Sequence, residues 1–427
     1  MARNSSADTM YIMGLAHAYP QYSFTATDFQ KYIAELYPEQ HTSSPGLQKL
    51  IRFSNVTQIE SRPTISDLSF PGAKVDASPP SPDELSRIFK ADGVQLAASA
   101  CTKAMAEANV GANDITHIVA VTCTDQSNPG YELLVCNKLK LQPGVQRTLL
   151  HGVGCAGGLS ALRAAANTAA AESQRGRPAR VLVVACEICS LFLKAELHAA
   201  SQSDDLHIAP ALFSDAAAAL VVCNDLALRK DQKPIYELKE WGSMVVPNTT
   251  SYMSYDITST GMIASLTKDV PKAAVSAIQP MFDHLLTKTP SKSNLASLLP
   301  PDFDWAIHPG GAAILSGAQK ALHLTDEHIR ASLETYRSYG NSSSPTVLVV
   351  LDRLRHMGQG RDDVVAASFG PGMMIEMCMM KRCRGGEIKG PLGLGDGKKT
   401  GLWMGVQSKM KRVLGWNVDK GHGAMVL

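Results

Sequence analysis

The strongest constraint on the fold is a rhythm of two kinds of segment. Across residues 10–223 short β-branched runs alternate with Ala-rich runs of helical length. Residues 116–123 (THIVAVTC) and 180–185 (RVLVVA) read as buried strands, and residues 84–108 and 156–172 as helices. The rhythm then repeats. Residues 273–286 read as a helix, 304–307 as a strand, 312–322 as a helix, 346–351 as a strand, and 364–380 as further structure. The pattern predicts an α/β protein of two similar halves, residues 1–224 and 225–383. Polar residues 225–239 separate the halves, and residues 288–301 (KTPSKSNLASLLPP) form a Ser/Pro-rich loop.

Composition narrows the function classes. Hydrophobic residues at 45% and charged residues at 19% exclude a disordered or collagen-like chain. With 41 Lys and Arg against 39 Asp and Glu, the net charge of +2 lacks the basic footprint of a nucleic-acid binder. No apolar run approaches the roughly 18 residues of a spanning helix. The first residues have neither the basic start nor the apolar centre of a signal peptide, so a cytoplasmic location is expected. Nine Cys, an odd number scattered through apolar segments, read as reduced thiols rather than a disulfide framework. Residues 384–427 differ from the rest: they hold 11 of the 33 Gly, and eight basic against three acidic residues. This tail reads either as a solvated, disordered appendage or as a basic amphipathic helix. In the second case Leu402, Val406, Met410 and Val413 would form its apolar stripe, and Lys409, Lys411 and Arg412 would make weak contact with a membrane surface.

The sharpest chemical signal is residues 146–171, QRTLLHGVGCAGGLSALRAAANTAAA: a strand, a Gly-flanked Cys155, then a long helix. An arbitrary Cys is a small buried hydrophobe. Here Gly154, Gly157 and Gly158 permit strained dihedrals and close backbone approach, as in a nucleophile elbow. The N–H groups of the helix N-terminus are expected to favour a thiolate. A second signal, DWAIHPGGAA, puts His308 at the end of an apolar strand, where a structural His is the plain alternative. A third, SYGNSSS, puts Asn341 in a Gly/Ser turn, where a capping role is the default. Together they give the order Cys, His, Asn, a set that can activate a thiol and polarise a carbonyl. Cys186 and Cys189 (CEIC) invite a metal reading, but no second pair stands at ligand spacing and no metal is expected.

Papain-like proteases share that order but carry their Cys near the mature N-terminus in a context absent here. The thiolase superfamily of condensing enzymes matches in detail. VGCAGGLSALRAA surrounds Cys155, WAIHPGGAAIL surrounds His308, and YGNSSSPTVLVVLDRL contains Asn341. ALFSDAAAALVV holds Phe213, and ASFGPGMMIE holds Pro371. The chain resembles a type III polyketide synthase of the chalcone and stilbene synthase type from about residue 10 to residue 382, and most resembles the fungal alkylresorcylic acid synthases. The resemblance implies a thiolase-like, five-layered αβαβα fold with two similar halves and a homodimer. It also implies an acyltransferase that needs no cofactor beyond its substrates, acyl-CoA and malonyl-CoA.

By the same resemblance Cys155 carries the acyl group, His308 partners its thiolate, and His308 with Asn341 holds the malonyl thioester oxygen. Phe213 and Ala264 fall on gatekeeper positions; plant enzymes carry Phe at the second, so Ala264 opens space and points to a long fatty acyl starter. Cys123, Cys189, Phe192, Met262 and Pro371 fall along the cavity. Glu187 falls on a buried Glu whose hydrogen-bond network, expected to reach Ser343, influences cyclisation; the Thr that completes it elsewhere falls on Cys123 or Thr124. Lys49, Arg52 and Ala313 fall on coenzyme-contact positions, a third basic position being Val56, although an ordinary surface helix carries the same charges. The expected product is an alkylresorcylic acid, a resorcinol or a pyrone. Two alternatives remain: an acyl-carrier-protein-type ketosynthase, disfavoured by the Pro-Gly-Gly after His308, and a non-catalytic acyl-CoA-binding homologue, against which the intact triad counts.

Overall fold

The computed structural model describes residues 9–68, 77–259, 261–289 and 294–384. The Gly-rich tail and its possible amphipathic helix lie outside the described residues beyond residue 384. The first half runs β1 (Met10–Ala18), β2 (Tyr22–Phe24), α1 (Ala26–Leu36), α2 (Pro45–Ser54), β3 (Arg62–Thr64), α3 (Pro82–Ile88), α4 (Val94–Glu107), β4 (His117–Val121), α5 (Tyr131–Leu139), β5 (Gln146–Leu150), α6 (Gly157–Gln174), β6 (Arg180–Ile188), α7 (Leu193–Ser201), the single turn α8 (Ala209–Leu212) and β7 (Asp215–Asn224). The second runs β8 (Tyr236–Val245), a hairpin of β9 (Met253–Thr258) and β10 (Gly261–Leu266), α9 (Val270–Lys288), β11 (Asp304–Ile307), α10 (Ala312–Leu322), α11 (Arg330–Tyr339), α12 (Thr346–Leu354), β12 (Asp363–Gly370) and β13 (Met374–Arg382).

Strand pairing repeats between the halves. From β1 through β7 and β6 to β4 the contacts are antiparallel, antiparallel and parallel. From β8 through β13 and β12 to β11 they follow the same sequence. The two half-sheets meet where Met10–Ile12 pairs with Tyr236–Leu238, so one nine-stranded ladder runs across the molecule.

Period-2 alternation then builds layers. In β6, Val181, Val183 and Ala185 face one core while Leu182, Val184 and Cys186 face another. In the second half, Ala306 and Val364 share the first of these cores, and Trp305 and Val365 face a third. The shared core holds α6 and α12 between the half-sheets; α4 covers the outer face of one half-sheet, and α9 and α10 that of the other. Five layers result. No helix among the described residues is long and apolar enough to cross a membrane.

One expectation fails. Residues 346–351 are helical, not a strand: TVLVVL is β-branched, but this run is enclosed on all sides in the middle layer, where a continuous apolar run suits a helix as well as a strand. That helix brings its N-terminal loop against the start of α6. A Cβ on Gly158 would stand 2.4 Å from the Ser344 carbonyl oxygen, and one on Gly157 would stand 2.9 Å from Ser344 Cβ.

The second half is pinned by one carboxylate. Asp304, fully buried, sits 2.8 Å from Arg330, 3.0 Å from Arg361 and 2.9 Å from Arg382. Burial pushes this carboxyl up, but the hydrogen bonds and charge of Arg330, with Arg382 behind, outweigh it and hold the pKa at about 2.

Two outcomes follow from this packing. Asp304→Asn leaves three guanidinium groups without their anion and is expected to cost about 3–5 kcal/mol in urea unfolding at neutral pH. Because the folded pKa lies below the unfolded one of about 3.9, Asp304 stabilises the fold above that pH and loses its contribution as pH falls through about 2. The gap between wild type and variant should therefore close in acid. Gly158→Ala must push the Ser344 loop outward; about 1–3 kcal/mol of stability is expected to be lost, together with most activity. A thermal melt and a turnover assay on the same sample check both.

Candidate active site

Cys155 occupies the single turn Gly154–Ala156 that links β5 to α6. Gly154 has φ of +46°, and a Cβ there would stand 2.7 Å from the Pro371 ring. The turn is thus clamped between Pro371, in the β12–β13 connection, and the loop before α12. The Cys155 Sγ lies 3.4 Å from the Ser343 hydroxyl. Burial pushes its thiol up to about 11, against the pull of hydrogen bonds from Ser343 and Asn341. Sequence reasoning expected the helix N-terminus to lower this pKa. In the closed site desolvation wins, so a thiolate forms only as a base takes the proton.

His308 follows β11 and is 1% exposed. Its backbone N–H donates to Ala367 at 2.8 Å, and neither ring nitrogen has a hydrogen-bond partner among the described residues. Burial pushes the imidazole down to about 3, which keeps it neutral, with one N–H to donate and one lone pair to accept a proton. Asn341 is held by its backbone: its N–H donates to Leu212 and its carbonyl accepts from Ser214, both at 2.9 Å. Its side-chain oxygen accepts from the Ser343 N–H at 2.8 Å and from the Thr346 hydroxyl at 3.4 Å. That engagement orients the amide and leaves its NH2 to donate into the pocket.

Cys155, His308, Asn341 and Phe213 line one cavity. A second, adjoining it at Cys155 and Phe213, is walled by Cys123, Cys189, Ala264, Ser343 and Pro371. A third lies beyond Cys189 and includes Phe192 and Phe213. Together with the solvent-open space at their mouths they span about 450, 450 and 420 Å³. Phe213 borders all three. Met262 is buried and packs in the outer core of the first half. Its β10 neighbours Ala264 and Leu266 take the cavity positions on the same face. Lys49 and the exposed Arg52 lie on α2, where Lys49 Nζ donates to the Asp204 carbonyl at 2.5 Å. Ala313 is half-buried in the first turn of α10, beside Ile314, which lines the cavity of Cys155.

Glu187 is fully buried and accepts from the Thr122 hydroxyl at 3.0 Å, the Thr124 hydroxyl at 2.8 Å and the Cys123 N–H at 3.0 Å. Its fourth partner is Ser344, at 2.6 Å, not the expected Ser343. Ser343 has φ of +58° and places its hydroxyl between the thiols of Cys155 and Cys123, at 3.4 and 3.8 Å. Burial raises the Glu187 pKa despite these donors.

Cys186 turns from the cavity into the outer core, with Sγ 3.3 Å from the Gly93 carbonyl, while Cys189 faces the cavity. The CEIC pair therefore points two ways, and no cluster of three metal-binding side chains occurs among the described residues. Sequence reasoning missed Met253 and Tyr255 on the hairpin; Tyr255 pairs across from Ala264 and fills part of the space that alanine leaves. The TSTG turn between two short β-rich runs was the available signal.

Comparison with known proteins agrees with this geometry. Residues 3–226 match the chalcone and stilbene synthase N-terminal domain, and residues 237–384 the C-terminal domain of the same family. The type III polyketide synthase pspB of Penicillium soppii is 43% identical over 388 residues, 88% of this chain and 96% of its own. The acylalkylpyrone synthase csyB of Aspergillus oryzae is 34% identical over 80% of this chain and 87% of its own; the structure of CsyB with CoA-SH has a TM-score of 0.83 at 32% identity, covering 87% of this chain and all of that one. The crystal structure of ORAS, a fungal type III polyketide synthase, has a TM-score of 0.83 at 39% identity over 87% of this chain and 99% of that one. The chain belongs to the chalcone and stilbene synthase family and is a type III polyketide synthase of the fungal kind, a decarboxylative condensing transferase.

Proposed function

We propose that the enzyme loads a fatty acyl group from coenzyme A onto Cys155, extends it with malonyl-CoA and cyclises the product to an alkylresorcylic acid, a resorcinol or a pyrone. The observation that carries this reading is the meeting of a buried thiol, an unpartnered neutral imidazole and an oriented amide at one apolar cavity that shares Phe213 with two more. His308 takes the Cys155 proton as Sγ attacks the acyl-CoA carbonyl; the C–S bond to coenzyme A breaks, and His308 returns the proton to the leaving thiolate. Malonyl-CoA then loses carbon dioxide. The electron pair of the broken C–C bond becomes an enolate whose oxygen accepts from His308 and Asn341; its carbon attacks the acyl-Cys155 carbonyl, the new C–C bond forms as the C–Sγ bond breaks, and Cys155 leaves as the thiolate while the extended chain stays on coenzyme A.

No other cofactor enters these steps. Solution of CsyB with CoA-SH supports coenzyme A thioesters as the substrate form. On this reading the hydroxyls around Glu187 sit beside Cys123 in the cavity where the chain cyclises, Lys49, Arg52 and Ala313 lie toward the coenzyme, and the working unit is a homodimer. A long chain suits the apolar walls, because each buried methylene contributes about 0.8 kcal/mol.

Cys155→Ala is expected to abolish polyketide formation while malonyl-CoA decarboxylation persists, because enolate stabilisation does not need the thiol. Tri- or tetraketide from this variant, by mass spectrometry, rules out the covalent route. Asn341→Ala removes one enolate donor and should slow decarboxylation by about 10²-fold or more. Ala264→Phe adds a ring opposite Tyr255 and is expected to shift a starter panel toward shorter chains; an unchanged panel places the alkyl chain elsewhere.

A further inference from the structure

Arg62 of β3 is 2% exposed, and among the described residues no carboxylate pairs with it. Arg382, the other arginine buried to this degree, has Asp304 at 2.9 Å. Burial pushes the Arg62 pKa down to about 9, so the side chain stays charged at neutral pH. A charge taken out of water without a counter-ion costs stability, so its presence here calls for a reason other than stability.

The contacts of the side chain supply that reason. Its Nη1 donates to the Pro210 carbonyl at 2.6 Å, and its guanidinium lies over the rings of Phe24 and Phe29, 4.3 and 4.8 Å from their centroids. Pro210 belongs to α8, a single turn of four residues that is too short to hold its shape alone. The last carbonyl of that turn, Leu212, accepts the Asn341 N–H, and the Ser214 N–H donates to the Asn341 carbonyl, both at 2.9 Å; a bridge thus joins Phe213 to Asn341. The stem of Arg62 reaches the other side of this bridge. A Cβ on Gly340 would stand 2.8 Å from the Leu212 carbonyl oxygen and 3.3 Å from Arg62 Cγ. One side chain therefore touches both of the segments that the bridge joins.

We propose that Arg62 is a positioning residue for decarboxylation: by tying α8 to the turn before Asn341, it fixes where the Asn341 amide stands relative to the enolate oxygen. The inference rests on the malonyl-CoA step described above. Arg62 lines none of the three cavities, so it acts through Asn341 and not by touching the substrate. A displaced amide loses its bond to the oxyanion in the transition state, and the loss falls on kcat rather than on KM.

The test is a double-mutant cycle on carbon dioxide release from carboxyl-labelled malonyl-CoA by the full-length enzyme. Arg62→Met fills similar space without charge or donor. It is expected to lower kcat about tenfold or more, with KM little changed and a cooperative thermal melt. In the Asn341→Ala background the same substitution should change kcat by less than about twofold, because the amide it positions is gone. Arg62→Lys keeps a charge and a donor for the Pro210 carbonyl; it is expected to recover part of the loss, and it carries the cycle should Arg62→Met fail to fold. A wild-type rate in Arg62→Met overturns the proposal. So does an equal fold-loss in both backgrounds, which assigns Arg62 to the general stability of the fold or to a direct effect of its charge on the enolate. Both of these results leave the malonyl-CoA step standing, whereas a wild type that releases no carbon dioxide from malonyl-CoA defeats that step and this inference with it.

Discussion

The site depends on how closely the N-terminal ends of two central helices approach. Gly157 and Gly158 open α6 without side chains: a Cβ on Gly158 would meet the Ser344 carbonyl just before α12, and one on Gly157 would meet the side chains of Val121 and Ser344. That contact brings Cys155, just before α6, to Ser343 and Asn341, just before α12. The two helices share the middle core of two half-sheets with repeated strand pairing, so the nucleophile and the amide occupy corresponding places in the two halves. A larger residue at either glycine acts on all of these groups at once.

Much of this was legible because the chemistry forces rare local patterns. A glycine-flanked Cys between a strand and a helix, a His closing an apolar strand before Pro-Gly-Gly, and an Asn in a Gly/Ser turn are each visible within ten residues. Features set by tertiary surroundings were not. Residues 346–351 look like a strand in isolation and are a helix because every side of them is buried. Ser343 and Ser344 are adjacent and identical, yet one bonds to thiols and the other to Glu187; a left-handed backbone at Ser343, which composition does not announce, separates them. Ala264 lines a cavity beside Tyr255, which is nine residues away in sequence and opposite in the hairpin, a neighbour that the local sequence does not announce.

Burial also decides the electrostatics. Desolvation raises the thiol of Cys155 and the carboxyl of Glu187 and lowers the imidazole of His308, so each group is held toward its neutral form. On the proposed reaction this favours decarboxylation. Among the described residues lining the Cys155 cavity there is no Lys, Arg, Asp or Glu. A malonyl carboxylate entering it exchanges water for apolar walls and finds no cation. Loss of carbon dioxide moves that charge onto the thioester oxygen, where two neutral donors await it. A lysine in the same cavity would pair with the carboxylate before reaction and stabilise the ground state. Neutral donors, with Cys155 ready to form a thioester beside them, place the stabilisation where the charge arrives rather than where it starts.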